Sequence, residues 1–473
     1  MERSDNTHRY HELREKYPVF TYKNFAVSRW PGGLHIDFEF EAGTDMVFRP
    51  RWTIDFGGYA DRMLSRVIPE SLAFHLGMIE MVSYWKAFCS PRILIQPHRL
   101  SSAQQSWWKN LYRQGLGEFF YMNGIDIPGP EMVEFVFDEN SQPFPGLSSE
   151  KPDDEGDQVL VPVGGGKDSA VSLELLKLPG FRIVPFVVNP RGATNQVLEV
   201  ASPGDNGIVM TRKMEPLLLR LNEEGFLNGH TPFSAMLAFA SVFVATCTGI
   251  RHIALSNESS ASEPTIPGTG INHQYSKSLD FEQDFRHYLS SHLDKSINYF
   301  SFLRPLNELQ IAALFSRYSR YHDVFKSCNV GSKTNSWCCA CPKCLFTYII
   351  LSPFLAQHEL TRIFGKDLFT DETLIGILEE LSGTTGVKPF ECVGTIEEVN
   401  MALVHKVDRM LEQEGALPVL LNHYHESALY AQYKNRDIRK FLCDFDQKHC
   451  LSAQLEQIIH QGVALICKKP GTL

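Results

Sequence analysis

Between Gln158 and Ser256 the chain alternates continuous apolar runs with helix-like stretches. Gln158 to Val163, Arg182 to Asn189, Gly207 to Thr211 and His252 to Ser256 read as strands, with a helix from a glycine turn to about Leu178. Val- and Ile-rich runs without polar alternation suit strands covered on both faces, so the pattern predicts βαβ units in a parallel sheet. Ser234 to Ile250 lacks Asp, Glu, Lys and Arg, but 17 residues with Ser, Thr and Gly among them suit a buried core helix better than a bilayer span. Thr231 is its expected cap and Pro232 its expected first residue.

The first 140 residues have a different rhythm. His35-Ile36-Asp37-Phe38-Glu39-Phe40 alternates polar and apolar positions, as a half-buried strand does, and helical spacing runs from about Ser71 to Phe88 and Ser102 to Tyr121. This predicts an N-terminal α+β domain over 1–140. Ser, Pro, Gly and acids dominate 141–157, ending in Asp153-Asp154-Glu155-Gly156-Asp157, the composition of an exposed linker. The central α/β domain is then 158–350. Residues 351–473 read as mostly helical, interrupted from Ser382 to Gly394.

A chain of 473 residues has room for about three domains. With 43% hydrophobic and 21% charged residues it is too apolar for a disordered chain, and a net charge of -10 argues against broad binding to nucleic acid or anionic membrane. The expected partners are therefore small molecules. Met1 to His8 is charged and has no apolar stretch, so the expected compartment is the cytoplasm. There the eleven cysteines are better read as thiols and metal ligands than as a disulfide framework, and five of them fall between Cys328 and Cys344.

Val163-Gly164-Gly165-Gly166-Lys167-Asp168-Ser169 joins a predicted strand to a predicted helix. Glycines let backbone N–H groups converge on an anion, and the helix start adds partial positive charge, so phosphate is the natural ligand. A Walker A loop is excluded because Asp168 stands where Ser or Thr should follow Lys167. The segment resembles the PP-loop of ATP pyrophosphatases, Ser-Gly-Gly-x-Asp-Ser, with Gly164 in place of the first Ser. That resemblance implies an adenine nucleotide alpha hydrolase-like sheet and cleavage of ATP between its α and β phosphates. It also implies that Gly164, Gly165, Gly166, Lys167 and Ser169 hold phosphate, with Asp168 organising Mg²⁺.

Cys338-x-x-Cys341-x-x-Cys344, with Cys328 ten positions earlier, offers four thiolates, the number tetrahedral zinc needs. Cys339 is then the spare. Four protein ligands leave no open position, so the expected zinc is structural. The cluster resembles the zinc-binding end of 7-cyano-7-deazaguanine synthases, but that match covers only about residues 157 to 350.

Taken whole, the sequence resembles the MurL family of bacterial peptidoglycan synthesis. The segments that carry this resemblance are the glycine loop, Ser256-Asn257-Glu258-Ser259-Ser260, Asn272-His273-Gln274-Tyr275-Ser276-Lys277-Ser278 and Pro389-Phe390-Glu391-Cys392-Val393-Gly394-Thr395. The family inverts the terminal glutamate of UDP-N-acetylmuramoyl-L-alanyl-L-glutamate with ATP and Mg²⁺. Adenylating the α-carboxylate would remove its charge and let the α-proton leave. The candidates for proton transfer are Cys392, Glu391, His273, Glu258 and Lys277, with Asp168 at the phosphate; Asn257 and Lys277 are candidate substrate contacts. His273 and Lys277, four apart, would share a face if helical. Arg182, Arg191, Arg212 and Lys213 offer further positive charge. Two other readings stay open: a PP-loop enzyme transferring nitrogen or sulfur to a carboxylate or base, and a non-catalytic nucleotide sensor.

Overall fold

Eleven strands pair into one mixed sheet in the computed structural model, which describes residues 3–139, 141–144, 158–178, 180–266, 268 and 271–467. The strands are β1 (Val19–Trp30), β2 (Gly33–Ala42), β3 (Met46–Phe48), β4 (Arg51–Asp55), β5 (Arg92–Ile95), β6 (Glu134–Phe137), β7 (Gln158–Pro162), β8 (Arg182–Val188), β9 (Ile208–Lys213), β10 (His252–Leu255) and β11 (Asn298–Ser301). Their order is β11-β10-β7-β8-β9-β4-β2-β1-β5-β6, with β3 beside β2. β10, β7, β8 and β9 run parallel, as the apolar runs predict, and β11, which is not among those runs, adds a fifth parallel strand.

β4 pairs antiparallel with β9, from Arg51 opposite Lys213 to Asp55 opposite Val209, so the N-terminal strands continue the central sheet. The expected linker lies largely outside the described residues, at 145–157, and the sheet runs on across its two sides.

The helices that frame the site are α1 (Glu70–Trp85), α2 (Ser102–Gly115), α3 (Gly117–Met122), α4 (Lys167–Lys177), α5 (Phe233–Thr248), α6 (Glu308–Ser316), α7 (Pro342–Leu351) and α8 (Ile396–Gln413). Successive strand residues point to opposite faces. Leu160 of β7 therefore joins a core with α1 and α5, while Val159 and Val161 join a second core with α4, α6 and the C-terminal helices. Every residue of β7 is buried. The apolar helix is α5, closed by Gly249 at φ 73, the left-handed turn glycine adopts without penalty. Its start differs from expectation. Pro232 is the residue before the helix, and Thr231 contributes its carbonyl, which accepts from Phe233 N at 2.7 Å.

Beyond residue 351 the described chain is helical, and the interruption falls between the helix Ile375–Ser382 and α8, which Thr395 and Glu398 cap reciprocally. Cys443 and Cys467 are joined by a disulfide, a pair to which the sequence offered no role. No helix among the described residues is long and apolar enough to cross a membrane.

Candidate functional site

Parallel strands end at one edge, and the loops leaving it hold the candidate residues of the central segment. The glycine loop follows β7, Asn257 and Glu258 follow β10, and Arg304 and Glu308 follow β11. Gly165 has φ +87, and a Cβ there would lie 2.7 Å from Thr194 N, so only glycine fits. Its carbonyl accepts from Lys326 N at 3.1 Å. Gly164 is exposed with nothing near its Cβ position, and Gly166 precedes α4, its carbonyl accepting from Ser169 Oγ at 3.0 Å.

Lys167 turns inward instead of toward solvent. It is 4% exposed, and its Nζ meets Asp168 Oδ1 at 2.5 Å and Glu308 Oε2. Carboxylate oxygens of Asp168, Glu258 and Glu308 all lie within 4.8 Å of one another. Burial first, then Asp168 among its neighbours, pushes both the Glu258 and Glu308 carboxyls upward against the pull of Lys167. Glu398 adds a fourth acid, its Oε1 accepting from Glu308 N at 2.6 Å and from Ser260 Oγ at 2.8 Å. Crowded, oxygen-only and anionic, Asp168, Glu258 and Glu308 fit a hard cation such as Mg²⁺. Asn257 donates to Ser301 Oγ at 3.1 Å, next to this group.

A second cluster surrounds Cys392. Lys277 Nζ lies 3.3 Å from Cys392 Sγ, and His273 is near enough for its charge to act on the same sulfur. Burial would raise the thiol, but Lys277, Lys343 and His273 together hold it well below the usual thiol range, which favours the thiolate. Lys277 is held firmly charged in spite of burial, between Cys392 and Glu258. His273 and Lys277 reach the sulfur without sharing a helix face. His273 lies in a turn, and only Tyr275–Lys277 forms a single 3₁₀ turn. Arg304, 1% exposed, donates to the carbonyls of both Lys277 and Glu258, tying the two clusters together.

His273 Nδ1 is hydrogen-bonded to Glu118 Oε2 on α3, and His230 Nδ1 approaches the same oxygen at 3.4 Å. Burial would lower His273, but Cys392 and Glu118 raise it to about 9; burial and the charge of His273 lower His230 to about 4. Glu391 takes another direction, its Oε2 accepting from Asn329 Nδ2 at 2.7 Å. The ring of Phe390 rests against Tyr121, 5.4 Å between centroids, so the Cys392 segment packs on the N-terminal part of the chain.

The sequence picked out neither Glu118, His230, Glu308 nor Arg304. The only local signal at Glu308 is a capping box from Asn307 to Gln310, which reads as a helix start, and Glu118 lies in a short helix without a motif. Conversely, Arg212 is spent on Glu80 at 2.6 Å, away from the site.

The sulfurs of Cys328, Cys338, Cys341 and Cys344 lie within 4.8 Å of one another. Contacts of 3.6 Å (Cys341 to Cys344), 3.7 Å (Cys338 to Cys344) and 4.0 Å (Cys328 to Cys341) surround the edge of about 3.8 Å that Zn–S bonds of about 2.3 Å give a tetrahedron, so the four fit zinc. Cys339 faces away, toward the carbonyl of Phe364 at 3.2 Å.

The family description MurL N-terminal domain matches residues 11–302, and MurL C-terminal domain matches 324–434. A UDP-N-acetyl-alpha-D-muramoyl-L-alanyl-L-glutamate epimerase of a Micromonospora species is 39% identical over 334 residues, 69% of this chain and 73% of that protein. Proteins of the same description from Salinispora tropica and Xanthomonas oryzae pv. oryzae are 38% and 36% identical, over 69% and 72% of this chain and 71% and 76% of their own lengths. No solved structure matches the chain significantly.

Proposed function

The chain belongs to the MurL family, and on that premise we propose that it inverts the terminal L-glutamate of UDP-N-acetylmuramoyl-L-alanyl-L-glutamate at the expense of ATP. The observation that carries this reading is the Lys277 ammonium, shared between the anionic Cys392 sulfur and the carboxylate group that follows the glycine loop. Nucleotide chemistry and proton transfer can then meet on one substrate.

A free α-carboxylate opposes loss of the neighbouring proton, because a second negative charge would build beside the first. In the proposed first step a carboxylate oxygen attacks the α-phosphorus of ATP and pyrophosphate leaves, giving an acyl adenylate whose acyl group no longer carries the carboxylate charge. The Gly164–Gly166 backbone and Ser169 would bind phosphate. Asp168, Glu258 and Glu308 would hold Mg²⁺, which supplies positive charge against the triphosphate. Cys392 then takes the α-proton, forming S–H, while the electron pair moves onto the acyl oxygen as an enolate. Lys277 would stabilise that oxygen, and charge developing in a dry site is where such a cation acts most strongly. Reprotonation on the opposite face gives the D centre, and water releases AMP.

Asn257 would contact substrate beside Glu258, and Glu391 would set the Cys392 turn through Asn329. The four cysteines would hold a structural zinc. Since ATP and the nucleotide precursor are cytoplasmic metabolites, the cytoplasm is the proposed site of action. The adenylation step is tested with ATP labelled at the α-phosphate: label should appear in AMP only when the dipeptide nucleotide is present, and label in ADP would overturn it.

A further inference from the structure

Three groups of side chains among the described residues bring donor atoms close enough to share one ion, and their chemistry differs. Four thiolates fit zinc, and three carboxylates fit Mg²⁺. The third group is neither. It consists of Glu118, His230 and His273, whose carboxylate oxygen and two ring nitrogens all lie within 4.8 Å of one another.

These three residues come from distant segments: α3, the loop before α5, and the turn that leads to Lys277. Glu118 Oε2 is hydrogen-bonded to His273 Nδ1 and lies 3.4 Å from His230 Nδ1, with the two imidazole centroids 4.5 Å apart. Side-chain exposures of 11% for Glu118, 12% for His273 and 24% for His230 leave the group mostly buried, with an approach on the His230 side. The backbone around it is fixed. Asn123 Nδ2 donates to the Phe119 carbonyl at 2.7 Å and to the Asn228 carbonyl at 3.0 Å, so one buried amide joins the residue after Glu118 to the segment before His230. Gly229 has φ +154, and a Cβ there would lie 3.2 Å from the Phe119 ring, so glycine lets that segment close on α3. Lys86 Nζ donates to the Gly229 carbonyl, and His273 N donates to Thr265 Oγ1 at 3.0 Å. Supporting contacts of this kind hold a ligand set in place around an ion.

Two imidazole nitrogens and a carboxylate oxygen suit zinc-class cations, whereas Mg²⁺ takes oxygen ligands. Bonds of about 2.0–2.2 Å put the ligand atoms of a tetrahedral ion about 3.3–3.6 Å apart, the separation of His230 Nδ1 from Glu118 Oε2. His273 Nδ1 is closer to that oxygen because a hydrogen bond joins them, and an ion would take the place of the shared proton. We propose that Glu118, His230 and His273 bind a zinc-class dication, with a fourth position left for an oxygen ligand. The ion ties the N-terminal part of the chain to the turn that carries Lys277. Three ligands hold an ion more loosely than four thiolates, so the protein keeps its cysteine zinc through purification and takes the second ion from solution. The site does not depend on the epimerase reading.

The test titrates Co²⁺ into the full chain after one equivalent of Zn²⁺ has filled the cysteines, with excess Mg²⁺ present to occupy the acids. One further Co²⁺ per chain should bind with the intense visible absorption of a four-coordinate ion, and added Zn²⁺ should displace it. His230→Ala and Glu118→Gln should weaken binding by more than about 100-fold, beyond the cost of losing a residue that only supports a ligand. His230→Cys should keep the ion and add a sulfur-to-cobalt charge-transfer band. Retention of the cysteine zinc shows that each variant is folded. No second equivalent in the wild type would overturn the site, as would affinity that His230→Ala and Glu118→Gln leave unchanged, or absence of the sulfur band in His230→Cys. A weak six-coordinate spectrum that Asp168→Asn abolishes would place the ion on the acids and would overturn it too.

Discussion

Lys277 Nζ approaches Cys392 Sγ at 3.3 Å, and the Lys277 carbonyl is held by Arg304, the same guanidinium that holds the Glu258 carbonyl. One buried arginine thus ties the Cys392 partner Lys277 to Glu258 of the acidic group. Glu282 keeps that guanidinium in place, accepting from Arg304 Nε at 3.4 Å and Nη2 at 3.3 Å. Charges that alternate across this span, from Glu258 through Lys277 to Cys392, give a substrate with both a carboxylate and an acidic α-proton a place for each.

Lys277→Met removes the ammonium next to the sulfur. Alkylation of Cys392 by iodoacetamide at neutral pH, followed peptide by peptide, should slow by about tenfold or more, since an opposite charge at this range is worth one to three pKa units. Lys277→Arg should recover part of the rate. An unchanged rate in Lys277→Met would mean that the sulfur does not depend on this lysine.

Lys167→Met leaves Asp168, Glu258 and Glu308 without their buried counter-charge, and breaking such a pair costs about 3–5 kcal/mol. Urea unfolding should report a loss of that order. Mg²⁺ should stabilise the wild type and should restore more stability to Lys167→Met, because the cation replaces the lost charge. No response to Mg²⁺ in either protein would argue against a cation site at these acids.

The Cys392–His273 pair has a definite pH signature. His273 is raised to about 9, so its stabilising charge is fully present below its ordinary value of 6.5 and is lost as pH rises through 9. Cys392 is depressed, so its contribution is present above the ordinary thiol value of 9.0 and is lost as pH falls through its folded value. Between 6.5 and 9 the two slopes oppose each other, because the folded pair and the unfolded pair each carry one proton. Cys392→Ser removes the thiol side of that balance and leaves Glu118 alone to raise His273. Its stability should fall with rising pH over this window by up to about 1.4 kcal/mol per pH unit relative to wild type, while its α-proton exchange drops by about 10²–10⁴-fold. Equal pH slopes for the two proteins would contradict the pairing.

Metal analysis should find one zinc per chain in the wild type. Cys341→Ser should lose it, and Cys339→Ser, whose sulfur turns toward Phe364, should keep it. Loss in both variants alike would show that the fifth cysteine belongs to the cluster.

What could be read in advance was local. The strand, glycine turn and helix around Gly165 are contiguous, and the Cys338, Cys341 and Cys344 spacing lies within one turn and the start of α7, so both are written in short stretches. The pairing of β4 with β9 joins strands from either side of the expected linker, and no periodicity in one reports its partner. Glu118 was hidden for the same reason, since a glutamate in a short helix has no distinguishing neighbours. His273 and Lys277 would share a face only if helical; the segment is instead a turn, and a 3₁₀ turn and the Arg304 anchor bring the Lys277 side chain to Cys392.

The central claim is that adenylation and α-proton removal occur on one glutamate, and one incubation reads both. With ATP, Mg²⁺ and UDP-N-acetylmuramoyl-L-alanyl-L-glutamate in D₂O, the account predicts D-glutamate carrying one α-deuterium, with AMP and pyrophosphate formed alongside. Absence of both α-deuterium and AMP, or inversion that proceeds without ATP, would contradict it.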